Sequence, residues 1–334
     1  MATLSDVARA AGLSPTAVSR HLNGRITLPA ETRARIEAAI DALDYRPNLL
    51  ARRLSTGRTE AIGLVTPEID NPFFAELAAA VEVAAADHGY AVSITSTRGD
   101  PARETAAIER LRDRHVDGLM LMTGTPQDGT LAAALEGLTN VLLLDEDIPG
   151  PDLPRLFVDN TAGARAATRQ LIELGHRHIA HISGQRGVSS VEQRYAGYLE
   201  ALAEAGLSAG PCAFGRYRRE FGEVAAREML AADPRPTAIV TGSDEIAIGV
   251  MTVARQNGLT LPADLSLTGF DDILYAALID PPLTTVRQPV AEMGRIAFDT
   301  LLASLNGEEV PRLTILPVTL QIRNSTASPK GLVR

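Results

Sequence analysis

At four places in this 334-residue chain an apolar run is followed by residues able to hold a polar molecule. They are Asp70-Asn71-Pro72-Phe73-Phe74, residues 184–194 ending in Arg194, Ser243-Asp244, and Phe270-Asp271-Asp272. Two acids, one Arg, an amide and aromatic rings drawn from these stretches suit a hydroxyl-rich ligand, whose apolar ring face stacks on Phe or Tyr while its hydroxyls meet Asp and Arg. The alternative is that Arg194 and Asp271 are scattered surface ion pairs. Catalysis has no positive support. No G-x-S-x-G, H-E-x-x-H, Walker loop or G-x-G-x-x-G occurs, and Asp271 and Asp272 lack a matched partner. His176, His178 and His181 look like a metal cluster, but His178 and His181 lie three apart on an expected strand and point to opposite faces. Neither a metal nor a cofactor is expected.

Convergence of the four stretches needs parallel strands covered by helices on both faces, because ligands of open α/β sheets bind beyond the carboxyl ends of the strands. From Ala61 onward the sequence has that alternation. Strands are read at IGLVT, AVSIT, GLMLM, VLLLD, IAHIS, TAIVT and LSLTGF, and helices near 73–88, 102–114, 162–174, 191–205, 222–231, 245–257 and 291–305. This makes two open α/β lobes without tandem repeats or a long linker.

Residues 1–59 read differently. Thr3 and Asp6 form a capping-box-like start to a helix with Val7, Ala10 and Ala11 as its apolar stripe, which Gly12 stops. Ser14 is a good N-cap for a second helix, Pro15 fits its first position, and Val18 and Leu22 face inward. A third helix over 31–43 turns Ile36, Ala39, Ile40 and Leu43 inward. Beyond Pro47, LLARRLSTG has helical character over about nine residues, too short to be stable alone in water. The chain is acidic overall, with 32 basic against 41 acidic side chains, yet residues 1–59 carry nine Arg against five acids. A basic head on an acidic body suits a protein that meets phosphates only with its N-terminus. One cysteine, Cys212, excludes an internal disulfide. With no basic-then-apolar leader and no run of about 18 apolar residues, a cytoplasmic protein with no membrane partner is expected.

SDVARAAGLSPTAVSRHLNG, YRPNLLARRLSTGRTEAIGLV, NPFF, GHRHIAHISG and GFDD with PPLTTVRQP stand in an order that resembles the LacI/GalR transcriptional regulators over nearly the whole chain. The resemblance implies an N-terminal all-α helix-turn-helix head (1–47), a hinge helix and linker (48–59) and an effector-binding domain (60–334). That domain would be a periplasmic-binding-protein-like sensor of two doubly wound parallel-sheet lobes, one comprising 60–160 and 289–320, the other 161–288 and 321–334. Crossings between lobes are expected near Asn160, Gln288 and Leu320.

In such proteins the second helix enters the major groove, which places Pro15, Thr16 and Arg20 at base edges, Arg20 having the fork for guanine O6 and N7. Ser5, Ser19, Asn23 and Tyr45 are implied as phosphate contacts. Ala51, Arg52, Leu54 and Ser55 match a minor-groove wedge, with Leu54 inserted at the central base step of a pseudo-palindromic operator by a homodimer. For the effector, the resemblance implies Asn71 and Phe73 in one lobe and Arg194, Ser243, Asp271 and Tyr217 in the other, with Asp159, Ser190, Asp244 and Gln288 as second-tier candidates. VSSVEQRY and RYRRE lie where effector identity is decided. A sugar or sugar derivative is favoured; a purine-like molecule or a sugar acid stays open, the Arg residues near Tyr217 leaving room for an anion. A periplasmic-type sugar receptor and a sugar-modifying enzyme are the competing classes.

Overall fold

The head begins with a reciprocal cap. Thr3 Oγ accepts from Asp6 N at 3.3 Å while an Asp6 carboxylate oxygen takes the Thr3 N–H at 3.0 Å, starting α1 (Leu4–Ala11). Gly12 ends it at φ +67°, a left-handed cap that favours glycine. Ser14 Oγ then accepts from Ala17 N at 3.2 Å at the start of α2 (Pro15–Leu22). With α3 (Ala30–Ala42) these helices bury Val7, Ala8, Ala11, Val18, Ile36 and Ala39. Two expectations shift. Ala10 is exposed and Ala8 is buried instead, because Leu4 extends the apolar arc of α1 to the Ala8 side. Leu43 is exposed because it caps α3 and lies past its last turn.

The computed structural model describes residues 2–22, 26–46 and 57–330. The chain forms two units, 1–60 and 61–334. In the second, β2 (Ala91–Ser96), β1 (Ala61–Thr66), β3 (Gly118–Leu121), β4 (Val141–Leu144), β5 (Arg155–Val158) and β11 (Leu313–Leu316) lie side by side in that order, all parallel. A second sheet repeats the plan with β7 (Cys212–Phe214), β6 (Ile179–Ser183), β8 (Ala238–Thr241), β9 (Ser266–Asp271), β10 (Thr284–Arg287) and an antiparallel edge strand, β12 (Thr319–Gln321). Central strands such as β3, β4 and β8 are buried at every residue, as parallel strands covered on both faces must be.

On the first sheet lie α4 (Pro72–Asp87), α5 (Pro101–Arg112), α6 (Thr130–Leu135) and α11 (Val290–Leu305). The second carries α7 (Asn160–Glu173), α8 (Ser189–Glu204), α9 (Arg219–Leu230) and α10 (Asp244–Gln256). The chain changes lobe after β5, after β10 and between β11 and β12. The last crossing falls at 317–318, before the expected Leu320, because Leu320 already pairs with Val286 in the second sheet. Five strands were not read from the sequence: β5, β7, β10, β11 and β12 have three or four residues each and lack an apolar run such as the VLLL of β4. Among the described residues no helix is long and apolar enough to cross a membrane.

Helices α9 and α10 meet backbone to backbone at Gly222 and Gly249; a Cβ on Gly249 would fall on Arg219 O and Glu223 N. Replacing a helical Gly by Ala otherwise gains about 1 kcal/mol in propensity, whereas overpacking a rigid contact costs about 1–3 kcal/mol. Gly249→Ala is therefore expected to lower the urea midpoint of the body. A raised midpoint would show that the helices can separate without cost.

Candidate ligand cleft and DNA-reading face

Both sheets reverse strand order at one point, between β1 and β3 in the first lobe and between β6 and β8 in the second. Crevices open beyond the carboxyl ends of strands at such points. A cavity lies there, with its walls drawn from both lobes. Pro67, Glu68 and Asn71 follow β1, Thr123 to Thr125 follow β3, and Asp145 and Glu146 follow β4. From the second lobe come Gln185 after β6, Ser190 and Arg194 of α8, Arg216 and Tyr217 after β7, Ser243 after β8, and Asp271 at the end of β9.

Arg194 is the most constrained of these groups, with 4 % of its surface exposed. Its Nε donates to Asn160 Oδ1 at 2.8 Å and its Nη1 to Gly242 O at 2.5 Å, and its guanidinium carbon lies 3.7 Å from the centre of the Phe270 ring and 5.5 Å from that of Tyr217. Asp271 approaches Nη1 at 3.7 Å and accepts from Gln288 Nε2 at 2.8 Å. Its φ of +113° is rare for a side-chain-bearing residue and points to a backbone held for the site. Burial pushes the Asp271 carboxyl up to about 7 against the pull of Arg194 and Gln288.

Across the cavity, burial raises Asp145 to about 6, with Arg194 opposing. Glu146 is pushed to about 8 by burial and by Asp145 beside it, despite its bonds to Ser190. Those bonds span the cleft: the Glu146 carboxyl accepts from Ser190 N at 3.0 Å and is hydrogen-bonded to the Ser190 hydroxyl. Arg218 also bridges the lobes, at 2.8 Å from Glu68 and 3.2 Å from Asp70, and Arg216 Nη2 donates to Arg98 O at 3.2 Å.

Seven of the residues singled out in the sequence line this cavity: Asn71, Phe73, Ser190, Arg194, Tyr217, Ser243 and Asp271. Three do not. Asp159 is exposed and caps α7, accepting from Ala162 N at 2.9 Å. Asp244 is wholly buried behind the cleft, where it accepts from Thr285 Oγ1 at 2.5 Å and Ile273 N at 2.9 Å. Gln288 acts on the wall only through Asp271. Asn71 and Ser243 double as helix caps, accepting from Phe73 N at 3.0 Å and Ile246 N at 3.3 Å.

Glu68, Asp145, Glu146, Thr123 and Thr125 escaped the sequence reading. The signal was present, since DE follows VLLL and TGT follows LMLM at strand ends, as the other site residues do. The three histidines disperse. His176 bonds Thr237 Oγ1 and Ala327 O, and His178 bonds Pro234 O. His178 precedes β6 and is not in it; His181 stacks on Tyr198 inside the core, where burial pushes its imidazole down to about 3. Among the described residues no group of three His, Cys, Asp or Glu is placed to hold a metal.

In the head, Ser5, Pro15, Thr16 and Arg20 are exposed, Ser19 is half-buried, and the Tyr45 ring packs on the core. Asn23, Ala51, Arg52, Leu54 and Ser55, with most of the expected hinge helix, lie outside the described residues.

A helix-turn-helix head and a two-lobed cleft in one chain define a ligand-responsive DNA-binding regulator. Residues 3–48 match the model of the lacI family of bacterial regulatory proteins, and residues 59–324 match that of the periplasmic binding proteins and sugar binding domain of the LacI family. The chain belongs to the LacI family. It is 34 % identical to the HTH-type transcriptional regulator GalR of Escherichia coli (strain K12), over 98 % of this chain and 97 % of that protein. It is 36 % identical to the ribose operon repressor of Haemophilus influenzae, over 99 % and 100 %. Among solved structures, the lac repressor dimer bound to operator and the anti-inducer ONPF superposes with a TM-score of 0.87 at 29 % identity, covering 98 % of this chain and 99 % of that one.

A carboxyl whose pKa is raised by folding contributes its stability fully below its unfolded pKa and loses it as pH rises through the folded value. Glu146 is thus a growing burden between about pH 4.5 and about pH 8. Glu146→Gln preserves the bonds to Ser190 without a titrating proton. It is expected to raise the melting temperature at about pH 8 and to leave it nearly unchanged at about pH 5. Equal shifts at both pH values would disprove the buried acid.

Proposed function

We propose that this protein is a cytoplasmic homodimeric repressor whose affinity for a pseudo-palindromic operator is set by a sugar or sugar derivative bound between the two lobes of its body. The observation that carries the reading is the buried Arg194, held by Asn160 and Gly242 with its face against Phe270 and Tyr217, on the wall of a cavity lined by polar and aromatic side chains of both lobes. Aromatic rings, an amide and carboxyls around a fixed guanidinium bind rings that carry hydroxyls. The ribose operon repressor of Haemophilus influenzae carries a name consistent with such a ligand, as does the description of the matched sugar binding domain. Binding, not turnover, is the chemistry proposed.

Pro15, Thr16 and Arg20 are proposed to read bases, and Ser5, Ser19, Asn23 and Tyr45 to hold phosphates. Residues 48–59 would act as the hinge, with Leu54 inserted in the minor groove beside Ala51, Arg52 and Ser55. Two heads are needed because one reads only half a site. Selection of bound duplexes from a random pool, followed by anisotropy titration with sugars and purines, tests the reading. An inverted repeat whose affinity changes with one of these compounds supports it; no enriched sequence, or an affinity no compound alters, refutes it. Arg20→Ala is expected to weaken binding to the selected duplex by about 1–3 kcal/mol and to relax preference at one base pair per half-site. A uniform loss across all sequences would instead make Arg20 a phosphate contact.

A further inference from the structure

Helix α5 carries an acid where its other inward residues are apolar. Ala107, Ile108 and Leu111 pack on the first sheet, and Glu104, one helical turn before Ile108 on the same face, is wholly buried. A carboxyl in such a place is costly unless donors meet it. They come from the segment after β3: Thr123 Oγ1 donates to Glu104 Oε1 at 2.9 Å and Thr125 Oγ1 to Glu104 Oε2 at 3.2 Å. Burial pushes the carboxyl up, and bonds from Thr123, Thr125 and the Gly124 backbone draw it back. Thr123, Gly124 and Thr125 all line the cavity, whereas Glu104 stands behind them.

The two threonines are not equally occupied. Thr123 is buried, and its hydroxyl both donates to Glu104 and accepts from Thr125 N at 3.2 Å. Thr125 is half-buried on the cavity wall, with its carbonyl taken by Gln127 Nε2 at 2.8 Å. Once its single hydroxyl proton is given to Glu104, Thr125 offers a ligand only lone pairs. The turn has little room to move, since a Cβ on Gly124 would stand 3.0 Å from the Pro67 side chain after β1.

We propose that Glu104 is a positioning residue of the cleft: from behind the wall it fixes the turn after β3 and commits the Thr125 hydroxyl as an acceptor for a hydroxyl or amino group of the ligand. The assignment rests on the proposed reading of the cleft as the effector site. An amide in place of the carboxyl has one oxygen for two donating hydroxyls, so one hydroxyl must reverse. Thr125, on the cavity wall, is the one with a free direction in which to turn its proton. The wall would keep its shape and present the wrong polarity.

The test is calorimetric titration of the full-length protein with ribose, glucose, galactose, glucosamine and adenosine. T125V is expected to weaken the tightest binder about tenfold, and T125S to restore it to within about threefold. E104Q is expected to weaken that ligand about tenfold alone but less than about twofold on top of T125V, because the hydroxyl it misdirects is then gone. A residue that only supports the fold would lower affinity by the same factor in both backgrounds. If E104Q does not fold, E104D, which draws the carboxyl back by one methylene, is read in the same cycle. Equal factors in the two backgrounds overturn the proposal, and so does a T125V protein that binds like the unsubstituted one. If no compound binds the unsubstituted protein, the effector reading of the cleft falls and this assignment with it. Binding accompanied by an overturning cycle removes the assignment alone.

Discussion

Everything in the body is arranged around one buried cation. A guanidinium with 4 % exposure needs hydrogen-bond acceptors and nearby negative charge, and each comes from a different element: Asn160 from the start of α7, Gly242 from the turn after β8, Asp271 from the end of β9. Phe270 and Tyr217 supply ring faces, which suit a planar, weakly hydrated ion better than they would an ammonium. Removing the Asp271 carboxylate would leave a buried charge uncompensated, a loss of about 3–5 kcal/mol, and three elements are tied to one side chain. The second lobe thereby presents a rigid wall to the cleft. Rigidity of this kind keeps the ordering cost of binding low.

The opposite wall is built on other principles. Asp145 and Glu146 stand on the loop after β4 with no cation of their own lobe among the groups that shift them; the positive charge that lowers both is Arg194, across the cavity. Electrostatics therefore favours apposition of the lobes, and the Glu146 cap on α8 and the Arg218 bridge to Glu68 and Asp70 add directional contacts. Desolvation of the acids opposes it. Burial is the first cause of the raised carboxyls, so closing the lobes has a proton cost that a ligand with donors would relieve.

Long elements were legible in the sequence because pattern and length agree. Seven strands and seven helices of the body stand within a few residues of their reading, and the capping box at Thr3 and Asp6 marked the start of α1. The short edge strands were not legible: β7 has three residues and β11 exposes Leu313 and Ile315, so neither shows alternation nor a sustained apolar run. The site was legible where a motif and a strand end coincided, as at Asn71, Arg194 and Asp271. Asp145 and Glu146 follow a strand end with no motif to draw attention. Asp244 shows the reverse error: it stands beside Ser243 at a strand end, but one residue along a helix turns the side chain about 100°, into the sheet interface with Thr285.

A ligand between the lobes changes the affinity of the head for DNA only if it prefers one lobe arrangement to another. A hundredfold change in operator affinity needs about 2.7 kcal/mol of such preference. That is the scale of one or two charge-assisted hydrogen bonds in a dry site, so no wholesale repacking is required. Among the described residues, contacts able to supply it include Glu146 to Ser190, Arg218 to Glu68 and Asp70, and Arg216 to Arg98, polar ties that cross the cleft beside the cavity. Arg218 is more than a third exposed on its side chain, where screening limits its worth, whereas Glu146 and Ser190 are buried. Of these three ties, the one between Glu146 and Ser190 is therefore the least screened by solvent, and a ligand that competes for either partner acts on it directly.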